Sequence, residues 1–312
     1  METEDLDVTE FQRYQRKGWG LLPALLIVVL FVGLVPPAAE AHWEAFVGLL
    51  EIRKLVLVVN FAIGFGGFFA LNFAMMLIYK AKLPFFEQYR VSEQPWPWEA
   101  DPARWRQLLR RTLVTVTLNT GVISPVISLI DYFSPTMLML YRAEHFPSRG
   151  ELVVQLLVCM VLDDLTFYWS HRLLHRPWFY KRVHKQHHEY VQPVSISSHY
   201  AHPFEFIFGN ILPFAMGPLV LSSQMHFFTR ICWNLLRLTE TCNGHSGYEF
   251  PWAPYSLMPF AGSAQYHGYH HTNNLGNYSS FFTLWDSLFG TNRHYLRHLQ
   301  KLKAKHHQPK AD

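Results

Sequence analysis

The chain has 312 residues, of which 50% are hydrophobic, only 16% charged and 18 His, with a formal net charge of +4. Soluble domains carry roughly 25% charged residues, so this composition excludes a disordered tail, a coiled coil and a freely soluble globule. A mean hydropathy of +0.02 equally excludes wall-to-wall membrane spans, and the mild, scattered charge leaves no nucleic-acid footprint.

Residues 1–18 are acidic first, then basic at Arg13, Arg16 and Lys17. The apolar run that follows Trp19 and stops at Pro36-Pro37 reads as a short or tilted first span. A signal peptide would carry its basic residues earlier, ahead of a shorter apolar core. The run LVLVVNFAIGFGGFFALNFAMMLIY, from Leu55 to Tyr79, is long enough to cross a bilayer core of roughly 30 Å. Gly64, Gly66 and Gly67 within it read as small residues for close helix packing, because no strand or turn surrounds them as a dinucleotide loop requires. Residues 80–111 are wet and rich in Pro and Trp, which suits a loop lying at the headgroups. A third span is expected from about Thr112 to Tyr132, interrupted by Pro125, and a fourth from Leu152 to Trp169. From 204 to 239 come two apolar pieces, broken by Pro213, Gly217-Pro218 and Ser222-Ser223. Each is short for a span, so the segment reads as a helical hairpin that dips into the bilayer and returns. The tail beyond Arg293 is a basic helix or loose end with a solvated His306-His307 pair. Cys159, Cys232 and Cys242 form no CxxC pair and read as buried, inert thiols.

Lys and Arg crowd the 80–111 loop and the segment after Trp169. Positive-inside counting therefore places the N-terminus, that loop and the C-terminal part in the cytosol. The expected fold is an all-α integral membrane protein, with about four transmembrane helices, a re-entrant helical hairpin and a cytosolic helical cap. Its expected divisions are 1–150 for anchoring helices, 151–293 for a catalytic domain and 294–312 for a basic tail.

Twelve of the 18 histidines fall between 171 and 271, and eight of them form three tight groups. They are His171 and His175; His184, His187 and His188; and His267, His270 and His271. Positions i, i+3 and i+4 share a helical face, so each group can direct several imidazoles at one ion. Imidazole suits zinc, copper, iron and nickel, and eight such residues exceed one tetrahedral zinc, which points to two metals. His42, His145, His226, His294 and His298 are isolated and carry no chemical expectation. His199 and His202, in SSHYAHPFEF, read as structural or as partners of ligand histidines. Asp163, Asp164 and Glu189 flank the groups and are candidates for hydrogen bonds to them. Solvation at a helix end is an equal reading of the Asp pair.

DDLTFYWSHRLLH, HKQHHEY, AHPFE, GHSGYEFPW and YHGYHHTNNLGNYSSFFTLWDSLFGT together resemble the fatty acid hydroxylase/sterol desaturase superfamily. Between Asp163 and Thr291 the motifs are most similar to the C-4 methylsterol monooxygenases. The resemblance implies an endoplasmic-reticulum membrane enzyme with two non-haem irons, its active site facing the cytosol. It also implies O2 as co-substrate and electrons passed from NAD(P)H through cytochrome b5 or its reductase. Carried over residue by residue, the ligands are the eight clustered histidines, with His245 at a further family position. Glu249 stands where some relatives have another His and is a possible carboxylate ligand. One departure is Gly268, where these sterol oxidases usually have Asp.

The chemistry fits that reading. C–H activation by O2 needs a redox centre that no side chain supplies, and neither a haem motif nor a Rossmann loop provides one. The expected reaction is stepwise oxidation of a sterol C-4 methyl group. Alternatives are a sterol side-chain hydroxylase, a sterol desaturase, a fatty acyl or sphingolipid hydroxylase, and more remotely a membrane zinc-binding protein.

Overall fold

A computed structural model describes residues 19–133 and 140–307; Arg13, Arg16, Lys17 and the last five residues lie outside them. The described residues are helical and contain no strand, only isolated bridges. Five helices are long and apolar enough to cross a membrane: α1 (Leu21–Val47), α2 (Ile52–Ala81), α3 (Pro102–Ile130), α4 (Arg149–Leu174) and α5 (Pro203–Gln224). Shorter helices follow, among them α6 (Phe227–Gly244), α7 (Ala264–Asn273) and α8 (Arg293–His307). The chain is an all-α integral membrane protein.

Hydrogen bonds between helix ends define the two ends of the bundle. At one end Tyr79 Oη donates to the Ser246 carbonyl at 2.8 Å and accepts from the Ser195 N–H at 3.0 Å. There too Thr112 Oγ1 meets Tyr190 Oη at 2.6 Å. At the other end Arg53 donates to the Tyr132 carbonyl at 2.9 Å, and Trp43 Nε1 to that of Tyr141 at 2.6 Å. Segments 175–202 and 245–292, which carry most of the histidines, gather at the first end, where α4 stops.

The helices depart from sequence expectation in ways that have physical causes. α1 runs through Pro36 and Pro37 to Val47 instead of stopping at them. A membrane helix tolerates the lost N–H because neighbouring groups re-satisfy its backbone. π-helical turns interrupt α2 at Ala62–Gly67 and α3 at Asn119–Ile123. The second immediately precedes Pro125 and absorbs the ring that would clash with the preceding turn. Of the three α2 glycines, only Gly67 packs closely, 3.2 Å from Leu238 Cδ2 for an added Cβ. Gly64 instead borders a cavity.

Where a re-entrant hairpin of two short pieces was expected, the first piece is the 22-residue α5, long and apolar enough to span alone, and α6 follows it. α6 returns through the interior to His245, burying eleven of its side chains. Three of these are polar or charged groups facing one cluster: Arg237, Glu240 and Thr241. Arg237 Nε donates to Asp163 Oδ1 at 3.1 Å, and its Nη1 to Thr241 Oγ1 at 2.6 Å and to Glu240. Ionisable groups at membrane depth persist only when paired in this way. All three cysteines are buried and free, as expected.

α4 and α5 touch at Gly217, where an added Cβ would stand 2.5 Å from Cys159 Sγ and 2.7 Å from its Cα. Backbone cannot retreat as a side-chain tip can, so a larger residue must separate the helices. Gly217→Val is expected to destabilise the protein by about 1–3 kcal/mol. Thermal unfolding in detergent checks this, with Gly33→Val, where nothing lies within 4 Å of an added Cβ, expected to be near neutral.

Candidate metal centre

Nine histidines converge, in two groups. His171, His175, His184, His188 and His270 form one, and His187, His245, His267 and His271 the other; ligand atoms within each lie within 4.8 Å of one another. The groups adjoin: His184 and His187 have ring centroids 5.5 Å apart, and His267 and His270 are 5.6 Å apart.

Local structure explains how each side chain arrives. His171 and His175 occupy the last turn and the cap of α4, one helical turn apart on one face. His184–Glu189 is a 3-10 helix, and α7 carries His267, His270 and His271. In both, sequence reasoning expected positions i, i+3 and i+4 to share one ion. The structure divides them instead. His184 and His188 join the first group while His187 turns to the second, and His267 and His271 join the second while His270 turns to the first. The i and i+4 residues stay together, and the i+3 residue points to the neighbouring group. His245, at the C-terminal cap of α6, completes the second group.

Hydrogen bonds fix the rings from behind. The Nδ1 atoms of His171, His270 and His271 meet the carbonyls of Tyr278, Gly276 and Tyr190 at 2.8, 2.6 and 2.9 Å. Those of His187 and His245 meet the carbonyls of Tyr200 and Thr241 at 3.3 and 2.9 Å. His184 Nδ1 meets Glu205 Oε1 at 2.7 Å. A carbonyl accepts only, so each such ring carries its proton on Nδ1 and turns a bare Nε2 lone pair inward.

The inward ring nitrogens crowd. In the first group the Nε2 separations are 2.9 Å (His175–His184), 3.0 Å (His184–His188) and 3.1 Å (His175–His270). In the second they are 2.9 Å (His245–His267), 3.1 Å (His267–His271) and 3.3 Å (His187–His245). Metal–nitrogen bonds of about 2.1 Å place neighbouring ligand atoms about 3.0 Å apart in octahedral and about 3.4 Å in tetrahedral geometry. The observed spacings, 2.9 to 3.3 Å, fall within that interval or just below it, and ring nitrogens at such distances repel unless a proton or a cation lies between them. The donor set therefore fits two metal ions, and an all-imidazole set suits iron, zinc, copper or nickel.

The other expected residues have different partners. Glu249 is outside both groups; its Oε2 accepts from the Gln265 N–H at 2.9 Å, near the start of α7. Asp163 pairs with Arg237, Asp164 accepts from the Ser280 N–H at 2.8 Å, and Glu189 pairs with Arg111 at 2.7 Å. His202 Nδ1 accepts from the Phe204 N–H at 3.2 Å, capping α5. These four therefore hold the frame, where hydrogen bonds to ligand imidazoles were expected. Sequence reasoning missed the carboxylate that does make such a bond, Glu205, although it stands inside AHPFE, three residues after His202. It also missed Asp286, fully buried, which accepts from the N–H groups of Tyr278 and Ser279, both at 2.9 Å. Asp286 thereby aims the Tyr278 carbonyl at His171. Gly276 supplies the carbonyl behind His270 from a positive φ of 64°, where an added Cβ would collide with the Thr291 carbonyl oxygen. At Gly268 a Cβ would meet only Val91, at 3.6 Å; the two histidines that follow it already have backbone partners.

Burial pushes His187 down to about 4 and His270 to about 3, and holds His184, His188, His245, His267 and His271 well below the usual histidine value. The rings are therefore neutral, as ligation requires. In the unfolded chain the same rings protonate near pH 6.5. Between that value and the folded one the unfolded state binds more protons, so stability falls as pH falls. Chelator-treated protein is expected to melt at lower temperature at pH 5 than at pH 7, by thermal unfolding in detergent. Glu205→Ala is expected to weaken metal binding about 10–100-fold, and Glu205→Gln less, by competition with a chelator.

A fatty acid hydroxylase family model matches residues 156–291. Over 263 residues the chain is 35% identical to a very-long-chain aldehyde decarbonylase of Oryza sativa, covering 83% of this chain and 93% of that protein. It is 43% identical over 162 residues to methylsterol monooxygenase 2-2 of Arabidopsis thaliana, covering 50% and 59% respectively. With methylsterol monooxygenase 1 of Gallus gallus it shares 35% over 223 residues, covering 71% and 72%. No solved structure matches. With the histidines placed and these relatives aligned over most of its length, the chain belongs to the fatty acid hydroxylase family.

Proposed function

We propose that this chain is a membrane-bound oxygenase whose nine histidines hold two irons and whose substrate is the C-4 methyl group of a sterol. The observation that carries the reading is the inward convergence of imidazole nitrogens in two adjoining groups, five in one and four in the other. When bound, iron supplies the redox chemistry with O2 that side chains lack. The chain's own residues hold and orient: Glu205 and five backbone carbonyls fix the rings. A small cavity of about 60 Å³ touches both groups, bordered by His171, His184, His187 and His245 and by the apolar Phe167 and Leu174. That wall admits a methyl group, and it also carries the polar Glu205, Glu240 and Glu249.

In this reading electrons come from NAD(P)H through cytochrome b5 or its reductase. Relatives named methylsterol monooxygenases support the sterol, and five span-length helices support a multi-pass enzyme, placed here in the endoplasmic reticulum with its histidines toward the cytosol. A second reading is favoured by the long alignment with aldehyde decarbonylases: a very-long-chain aldehyde at the same centre.

Purified protein is expected to contain two irons per chain and to oxidise a 4-methylsterol only with O2 and a reductant. His187→Ala is expected to abolish turnover while membrane insertion persists. Stoichiometric zinc in the active form overturns the iron centre, and a hydrocarbon one carbon shorter than a supplied aldehyde selects the second reading.

A further inference from the structure

Two cavities meet beside the histidines. The larger, of about 610 Å³, lies among α2, α3, α5 and α6, and its volume suits one lipid-sized ligand. Its outer wall includes Ile130 and Leu219, which are 67% and 64% exposed on span-length helices, so it runs inward from the lipid-facing surface. The smaller is the cavity bordered by His171, His184, His187 and His245. Among the described residues, Asn210 and Thr241 alone border both.

Thr241 is already committed. Its Oγ1 accepts from Arg237 at 2.6 Å, and its carbonyl faces His245 Nδ1 at 2.9 Å. Asn210 is not committed. The residue is half-buried, its amide has no hydrogen-bond partner among the described residues, and neither Oδ1 nor Nδ2 is sealed inside the protein. Local structure puts it there. Near its start α5 contains a π-helical turn over Phe206–Ile211, a form that bonds residues five apart. Asn210 therefore stands one turn beyond Glu205, whose Oε1 meets His184 Nδ1 at 2.7 Å. The adjacent Gly209 packs the same turn on the end of α4, with Leu174 Cδ1 3.3 Å from an added Cβ. An amide left unbonded on a span-length helix is costly, and polar groups inside proteins normally find a partner. A ligand at the junction would supply one.

We propose that Asn210 binds the 3-hydroxyl of the sterol where the two cavities join, with the ring system extending from it into the larger one. An amide both donates and accepts, as a hydroxyl does. In a sterol the carbon bearing the 3-hydroxyl adjoins C-4. A residue that holds this hydroxyl must therefore border the same space as the histidines that face the C-4 methyl, and Asn210 does so. The proposal rests on the sterol reading above and adds the residue that selects for the hydroxyl.

The test is equilibrium binding of a radiolabelled 4-methylsterol, and of its 3-deoxy analogue, to the full chain in nanodiscs. Wild type is expected to bind the alcohol at least about tenfold more tightly, since the amide can make two hydrogen bonds to it. Asn210→Leu, of similar size, is expected to reduce that preference to about twofold or less. Its melting temperature without ligand is expected to equal or exceed that of wild type, because no hydrogen bond within the protein is lost. Asn210→Ser, which keeps a donor and an acceptor, is expected to retain part of the preference, and Asn210→Ala is read in the same way as Asn210→Leu. Equal binding of both ligands by wild type, or full preference in folded Asn210→Leu or Asn210→Ala, overturns the inference while leaving the sterol reading in place. A lowered ligand-free melting temperature in both of those variants assigns Asn210 a structural role and also overturns it. Failure of wild type to bind either sterol overturns the sterol reading, and the inference with it.

Discussion

The hydrogen bond behind each imidazole is the constraint on which the rest of the architecture depends. A histidine can point either nitrogen at a ligand, and nothing in the side chain alone chooses. Here five backbone carbonyls and one carboxylate take the Nδ1 protons of six rings, leaving the Nε2 atoms to converge. Those carbonyls belong to Tyr190, Tyr200, Thr241, Gly276 and Tyr278, so three separate segments must dock before the site exists. The fold can be understood as the means of docking them. α4 brings the first box, α6 brings the Thr241 carbonyl and His245, and Asp286 and Asp164 tie down the 276–280 turn through backbone N–H groups.

Much of this was legible in the residues, because periodicity and chemical type are local. The apolar runs marked the spans, and the i, i+4 pairs at the end of α4 and on α7 stayed together as α-helical spacing demands. What local pattern could not show was the destination of the i+3 residue. His187 and His270 are assigned to their groups by contact with other segments, since the 3-10 spacing at His184–Glu189 would by itself align His187 with His184. Glu205 was hidden for a similar reason. Its bond to His184 spans 21 residues and crosses from a membrane helix to a wet segment, whereas Asp163, Asp164 and Glu189 drew notice by lying next to the boxes in sequence. Nearness in sequence was the wrong signal.

The first helix and the hairpin teach the corresponding lesson about membranes. Proline marks helix ends in water, yet α1 continues past Pro36-Pro37, since in lipid a helix that opens its backbone has no water to turn to. The second apolar piece was short for a span, and α6 is absent from the span-length, apolar set. It lies inside the bundle, where Arg237 is flanked by Asp163 and Glu240 and water is unnecessary to solvate it. Hydropathy averages out these two situations, which explains how a chain with five span-length helices has a mean near zero.

The same accounting applies to the charge of the centre. Nine neutral imidazoles contribute none, and neither group contains a carboxylate. Yet Glu205, Asp164 and Asp286 are 4%, 0% and 0% exposed, and no Lys or Arg pairs with them among the described residues. Isolated buried carboxylates are costly. Each of these three is joined to the histidines directly or through one turn of backbone, so metal cations held by the imidazoles would face them across a single layer. The carboxyl groups thus sit behind the imidazoles instead of among them. An ion held by imidazoles alone would keep more of its Lewis acidity toward the cavity than one with a carboxylate inside its ligand set.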